Sequence, residues 1–107
     1  MKLKDIKRIL EAEVIVGDDL LGEDITIACG CDLMSDVLSF VKPGALLLTG
    51  LINPQVVRTA EMADLRAICF VRGKKPDEET IKIAESKNIP LLTTPLLLFE
   101  SCGRLHQ

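Results

Sequence analysis

The residues best placed to meet a ligand stand at three short turns. Thr49 and Gly50 follow the aliphatic run Ala45–Leu48, Arg72 and Gly73 follow Ala67–Val71, and Thr93 and Thr94 follow Ile89–Leu92. Each turn leads into a helical segment that opens on proline: Pro54 after Asn53, Pro76, and Pro95 after Thr94. In an open α/β sheet, ligands bind outside the carboxyl ends of the strands. Helix N-termini at that end offer amides that favour anions. The chemistry on offer is therefore the holding of a small anion, a nucleotide or a phosphorylated metabolite. Thr49, Gly50, Asn53, Arg72, Gly73, Thr93 and Thr94 form the predicted rim, and the amides after Thr49 and Thr94 are its predicted donors. Arg72 would add a bidentate fork for phosphate or carboxylate. Lys74 and Lys75 read as solvated charge. Gly50 and Gly73 read either as relief of backbone strain at a tight turn or as points where a ligand approaches the backbone.

Cys29-Gly30-Cys31 is the one pattern that suggests a metal. Alternate residues of a strand point to one side, so two sulfurs could face one ion. A tetrahedral site needs about four ligands, and Cys69 and Cys102 belong to other segments. Burial as small hydrophobes accounts well for free cysteines, so a Cys29/Cys31 metal or redox site stands only as a secondary alternative, and no cofactor is predicted. The single histidine, His106, leaves little for a Ser/His/Asp or Cys/His device. The acidic groups Asp18-Asp19, Glu23-Asp24 and Asp77-Glu78-Glu79 fall in polar stretches, the last in a first helical turn where it opposes the positive end of the dipole. Gly-rich phosphate loops of the GxGxxG and GxxxxGK[ST] types are missing. No catalytic residue is predicted.

The elements that must carry these turns follow from periodicity. Leu3, Ile6, Ile9 and Leu10 recur at helical spacing. Glu13–Gly17 and Ile25–Cys29 read as strands. Asp32 precedes the apolar helical face Leu33, Met34, Val37, Leu38 and Val41, and reads as that helix's N-cap; Pro43-Gly44 ends it. The chain then repeats strand, short turn, helix: helices are predicted over 54–63, 76–87 and 95–105. Proline suits the first helical position because its fixed φ fits and its missing N–H is not needed, and Asn53 and Thr94, each preceding its proline, read as caps of the exposed amides. Such units imply a parallel sheet. The predicted fold is a layered α/β/α domain, 1–107, with a largely parallel central sheet of about five strands and repeated strand-turn-helix units in its C-terminal half.

Composition agrees. Of 107 residues 48% are hydrophobic, with no Trp or Tyr and only three Phe, so the core is aliphatic, as in parallel sheets covered by helices. The apolar surplus predicts a buried subunit face, and a homodimer, although a dry, apolar core alone would look similar. Net charge is −3, without the clustered Lys and Arg that bind phosphate backbones or the aromatics that stack on single strands; nucleic acid is not a predicted partner. The longest apolar runs are about half of the ~20 residues of a membrane span. The charged opening MKLKDIKRILEAE is unlike a signal peptide, and four cysteines without framework spacing fit a reducing compartment. A cytoplasmic protein is predicted.

In LLLTGLINPQ, residues 46–55, the turn carries Leu51 and Ile52 where polar groups are usual. Both are predicted to be covered, by the fold or by a second subunit.

The order of segments resembles the DRTGG domain family over roughly residues 8–105. The resemblance is carried by Asp32-Leu33-Met34-Ser35, Pro43-Gly44, the turn glycine Gly50, Gly73 with Pro76-Asp77, Ile83-Ala84-Glu85, Ile89-Pro90-Leu91-Leu92-Thr93 and Phe99. Leu51 and Ile52 stand where the family has Asp and Arg. Val71-Arg72-Gly73 stands for Thr-Gly-Gly, and Leu97-Leu98 for Asp-Thr. Such domains occur beside CBS pairs in a class of inorganic pyrophosphatases and within long phosphotransacetylases, and are similar in fold to the N-terminal domain of HPr kinase/phosphorylase. The resemblance implies a dimerising, effector-sensing regulatory or interaction module rather than an enzyme, with a further copy of itself, another protein or a small anionic effector as partner.

Overall fold

The computed structural model describes residues 1–106. Its elements run α1 (Leu3–Ile9), β1 (Glu13–Val16), β2 (Ala28–Gly30), α2 (Met34–Phe40), β3 (Leu46–Thr49), α3 (Pro54–Met62), β4 (Ala67–Phe70), α4 (Glu78–Lys87), β5 (Leu91–Thr93) and α5 (Leu98–His106). The five strands form one sheet in the order β1-β5-β4-β3-β2. β2, β3, β4 and β5 are parallel, and β1 joins β5 antiparallel.

Three successive parallel neighbours dictate the layers. Crossovers between parallel strands are right-handed, so repeated steps in one direction place every connecting helix on one face. α2, α3 and α4 do share a face, through Met34, Val37, Val56, Val57, Ala60 and Ala84 against Leu47, Ile68, Phe70 and Leu91. The opposite face takes the two helices outside the repeat. Leu3, Ile6 and Leu10 of the α1 region, with Leu98, Cys102 and Leu105 of α5, cover Leu46, Leu48, Ala67, Cys69, Val71 and Leu92. β3 and β4 are buried on both faces, which is why both read as unbroken apolar runs. The expected layered α/β/α fold is the one observed.

Three predicted boundaries move. The second strand begins at Ala28 and not Ile25, because the chain before it is engaged with the N-terminus. Ile25 is buried under α1, its amide donates to Met1 O at 2.7 Å, and Lys2 bridges Asp24. α4 starts at Glu78 and not Pro76: Asp77 is the true cap, accepting the Thr80 amide at 2.9 Å and the Thr80 hydroxyl at 2.8 Å. α5 starts at Leu98 and not Pro95, because Thr94 does not cap it. The Thr94 hydroxyl donates instead to the carbonyl of Leu10 and accepts the Leu96 amide at 3.2 Å. α3 starts where expected, with Pro54 in its first turn and Asn53 Oδ1 accepting the Val56 amide at 3.3 Å.

Candidate functional site

Because β2 to β5 run parallel, their carboxyl ends converge on one rim. The rim carries Asp32 after β2, Thr49 at the end of β3 with Gly50 after it, Arg72 and Gly73 after β4, and Thr93 at the end of β5 with Thr94 after it. The sequence-predicted rim residues are thus brought together, apart from Asn53, which serves α3.

Asp32 has a different role from the one its local sequence suggests. It is not the cap of α2; Leu33 holds that position, with no side-chain cap bond. The Asp32 carboxylate instead turns across to the next strand's turn. Its Oδ1 accepts the Thr49 hydroxyl at 2.8 Å and the Gly50 amide at 2.8 Å. The Gly50 bond is the main reason its carboxyl lies below the usual range. Partial desolvation opposes the shift; Thr49 and the charges of Arg72 and Lys74 add to it.

Gly50 is a glycine for reasons of space. Its φ is not in the left-handed region, so relief of turn strain is not its role. A Cβ there would lie 2.8 Å from an Arg72 guanidinium nitrogen and 3.7 Å from Asp32 Oδ2. Arg72 therefore lies over a bare backbone. An acid and a guanidinium flank Gly50, each delivered by another element. Arg72 and Gly73 themselves have φ of 60° and 66°, a left-handed pair that turns the chain back toward β5. Arg72 is exposed, and among the described residues neither Arg72 nor Lys74 is in an ion pair.

The turn amides are engaged elsewhere than predicted. Gly50 N–H serves Asp32, and Leu51 N–H donates to the Thr49 hydroxyl at 3.2 Å. Arg72 N–H donates to Leu96 O at 2.8 Å and Gly73 N–H to Thr94 O at 2.7 Å. The Thr93 hydroxyl donates to Lys74 O at 2.7 Å. Buried amides must be paired, and these turns pair them with one another, which stitches the β4 and β5 turns together. The Arg72 and Lys74 side chains are the cations of this rim that stand outside any ion pair among the described residues. Beside them Gly73, Thr93 and Thr94 border a hollow of about 230 Å3 that also takes in Glu11, Glu13 and Lys75.

Leu51 and Ile52 are half-buried and pack against the core that α2, α3 and α4 share. Cys29 and Cys31 are also half-buried. Burial first, then the neighbouring Cys31 and Cys102, pushes the Cys29 thiol up to about 11; burial alone pushes Cys69 up to about 12. Cys31 Sγ exchanges bonds with the Leu33 backbone, at 3.3 and 3.4 Å. Among the described residues no group of three or more potential ligands is arranged for a metal ion. Among them, too, no helix is long and apolar enough to cross a membrane.

The DRTGG domain family model matches residues 5–107. No curated protein sequence matches the chain. Among solved structures, it is similar to the CBS and DRTGG domains of the regulatory region of Clostridium perfringens pyrophosphatase, determined in complex with the activator diadenosine tetraphosphate. The TM-score is 0.79 at 17% identity, over 99% of this chain and 46% of that one. The chain thus spans less than half the length of this structural neighbour.

Proposed function

The chain belongs to the DRTGG domain family, and from that premise we propose that it is a regulatory domain that homodimerises and senses a small anionic effector at the carboxyl ends of β3 and β4. The observation that carries the reading is Arg72. Its guanidinium lies over the Cβ-less Gly50 with no ion-pair partner among the described residues, and Lys74, equally unpaired, is near enough to act on Asp32. Two cations outside any ion pair among the described residues, beside an immobilised turn, suit phosphate or carboxylate, with Arg supplying the planar fork and Lys a point charge. The neighbouring fold, seen as part of a regulatory region with a nucleotide activator, supports sensing over catalysis. The Asp32 carboxylate is already committed to holding Thr49 and Gly50, which suits a scaffold for a ligand.

Thermal shift against a panel of nucleotides and phosphorylated metabolites tests effector binding. A ligand at about 100 times its Kd adds about 2.7 kcal/mol of stability. At least one such compound is expected to raise Tm, and Arg72→Ala to abolish the rise. No shift across the panel, or a shift unchanged in Arg72→Ala, overturns the site. Sedimentation velocity tests self-association separately, and a monomer at micromolar concentration overturns it.

A further inference from the structure

The two edges of the sheet are built differently. β1 is guarded: its register slips between Val14 and Val16, and Glu13 pairs with Lys75 at 3.7 Å. Bulges and charges of this kind are how proteins keep an edge from pairing with another chain. β2 has neither. Its register with β3 is unbroken, and Ile27-Ala28-Cys29-Gly30-Cys31 contains no charge and no proline.

The direction of each β2 residue follows from the ladder. Ile27 O accepts from Leu46 N–H and Cys31 N–H donates to Leu48 O, at 2.9 and 3.0 Å. In a parallel ladder, residues that pair inward alternate with residues that do not. Cys29 therefore also faces β3, while Ala28 and Gly30 turn their N–H and C=O groups outward. Four backbone groups stand along an uncharged edge.

The flank of this edge is apolar. Ile27 is 39% exposed, and on the adjoining α2 segment Leu33, Leu38 and Phe40 are 57%, 46% and 79% exposed. A groove of about 450 Å3 runs between β2 and α2, bordered by Ile27, Cys29, Phe40 and Val41, with Asp36 and Lys42 on the same wall. Neither Asp36 nor Lys42 is in an ion pair among the described residues.

We infer that β2 is the homodimer seam, pairing antiparallel with β2 of a second copy about a two-fold axis at Cys29. The step rests on the homodimer reading above and gives it a surface. A second copy is the occupant because the groove carries one acid and one base. A two-fold axis makes an interface self-complementary, so Asp36 of each copy can meet Lys42 of the other, and Phe40 of each can cover the other's groove. The register follows from the outward groups: pairing Ala28 with Gly30 of the partner subunit satisfies all four on each strand. The two sheets then form one.

Sedimentation velocity of the full chain, of Ile27→Lys and of Ala28→Pro tests this. Ile27→Lys places a charge on an exposed edge residue, where it leaves the fold intact. Ala28→Pro removes one outward N–H, a position where an edge strand accepts proline. The expected result is a parent dimer and two monomers, with the Ile27→Lys dimer weakened at least tenfold and its circular dichroism unchanged. A parent dimer that persists in folded Ile27→Lys overturns the seam and leaves self-association standing. A parent monomer overturns both.

Discussion

The carboxylate of Asp32 accepts the amide proton of Gly50 at 2.8 Å, and so ties the end of β2 to the turn after β3. The same oxygen takes the Thr49 hydroxyl. Hydrogen bonds to charged groups contribute roughly 1.5–3 kcal/mol, discounted here because Asp32 is largely exposed. Asp32→Ala is expected to cost about 1–2 kcal/mol in urea denaturation. Its carboxyl is held below the usual value in the fold. Its contribution is therefore complete above the unfolded-state pKa of about 4 and is lost as pH falls through the lower folded value. Between neutral pH and pH 3 the parent should lose more stability than Asp32→Ala. Parallel pH curves for the two would sink the assignment.

Gly50→Ala separates space from strain. The added Cβ meets the end of the flexible Arg72 side chain, 2.8 Å away, and no left-handed backbone opposes it. Stability should stay within about 0.5 kcal/mol of the parent. Arg72 is displaced, however, so any effector-induced Tm shift should shrink as it does in Arg72→Ala. A full effector response in Gly50→Ala would show that the placement of Arg72 over this glycine is irrelevant to binding.

What the sequence disclosed and what it hid divide by range. The β3–α3 corner was legible because its signals are adjacent: a run of leucines, a capping asparagine and a proline in the first turn. The layered fold was legible because β-strand and helix periodicities alternate along the chain. Asp32 was misread because an acid before an apolar helical face is the local mark of a cap, while its partners are 17 and 18 residues away. Thr94 was misread likewise, its hydroxyl being drawn to Leu10, 84 residues distant. The signal for Asp77 was present, since Thr80 follows it at capping distance, but Pro76 set the expected helix start two residues early.

Thr94 makes the longest-range of these side-chain ties. Its buried hydroxyl satisfies the carbonyl of Leu10 and the amide of Leu96 together. Valine has the same shape and leaves both groups unpaired, at about 1–3 kcal/mol. Thr94→Val should therefore lower stability by that amount, and Thr94→Ser, which keeps the hydroxyl, should retain most of it. A loss in Thr94→Ser with none in Thr94→Val would assign the effect to the methyl group instead.

Gly30 marks where α5 presses on the edge strand. A Cβ there would stand 2.7 Å from Cys102 Sγ and 3.0 Å from Leu98 Cδ1. Overpacking of this kind costs about 1–3 kcal/mol. Gly30→Ala should destabilise the parent but much less a Cys102→Ala background, where the sulfur is gone. Contacting residues couple in such a cycle by about 0.5–3 kcal/mol. Additive losses would place Gly30 and Cys102 out of contact.

The proposed seam fixes a distance that oxidation can read. If Ala28 pairs with Gly30 of the partner subunit, the two copies of Cys29 face each other at a non-hydrogen-bonded position. Their Cα atoms are then about 4.5 Å apart, at the short end of what a disulfide spans. Cys31 and Cys102 could compete for Cys29 within one chain, so both are replaced by serine; Cys69 is fully buried and stays. Burial, the first cause of the raised Cys29 thiol, remains in this variant, so the reaction needs alkaline buffer to supply thiolate. Diamide takes up the two electrons and two protons released as the sulfurs join. The Cys31→Ser/Cys102→Ser protein should then run as a covalent dimer on a non-reducing gel and return to monomer with dithiothreitol. Adding Ile27→Lys should remove the covalent dimer. If the sedimenting dimer forms yet this bond does not, while a small alkylating reagent still modifies Cys29, the register centred on Cys29 is wrong.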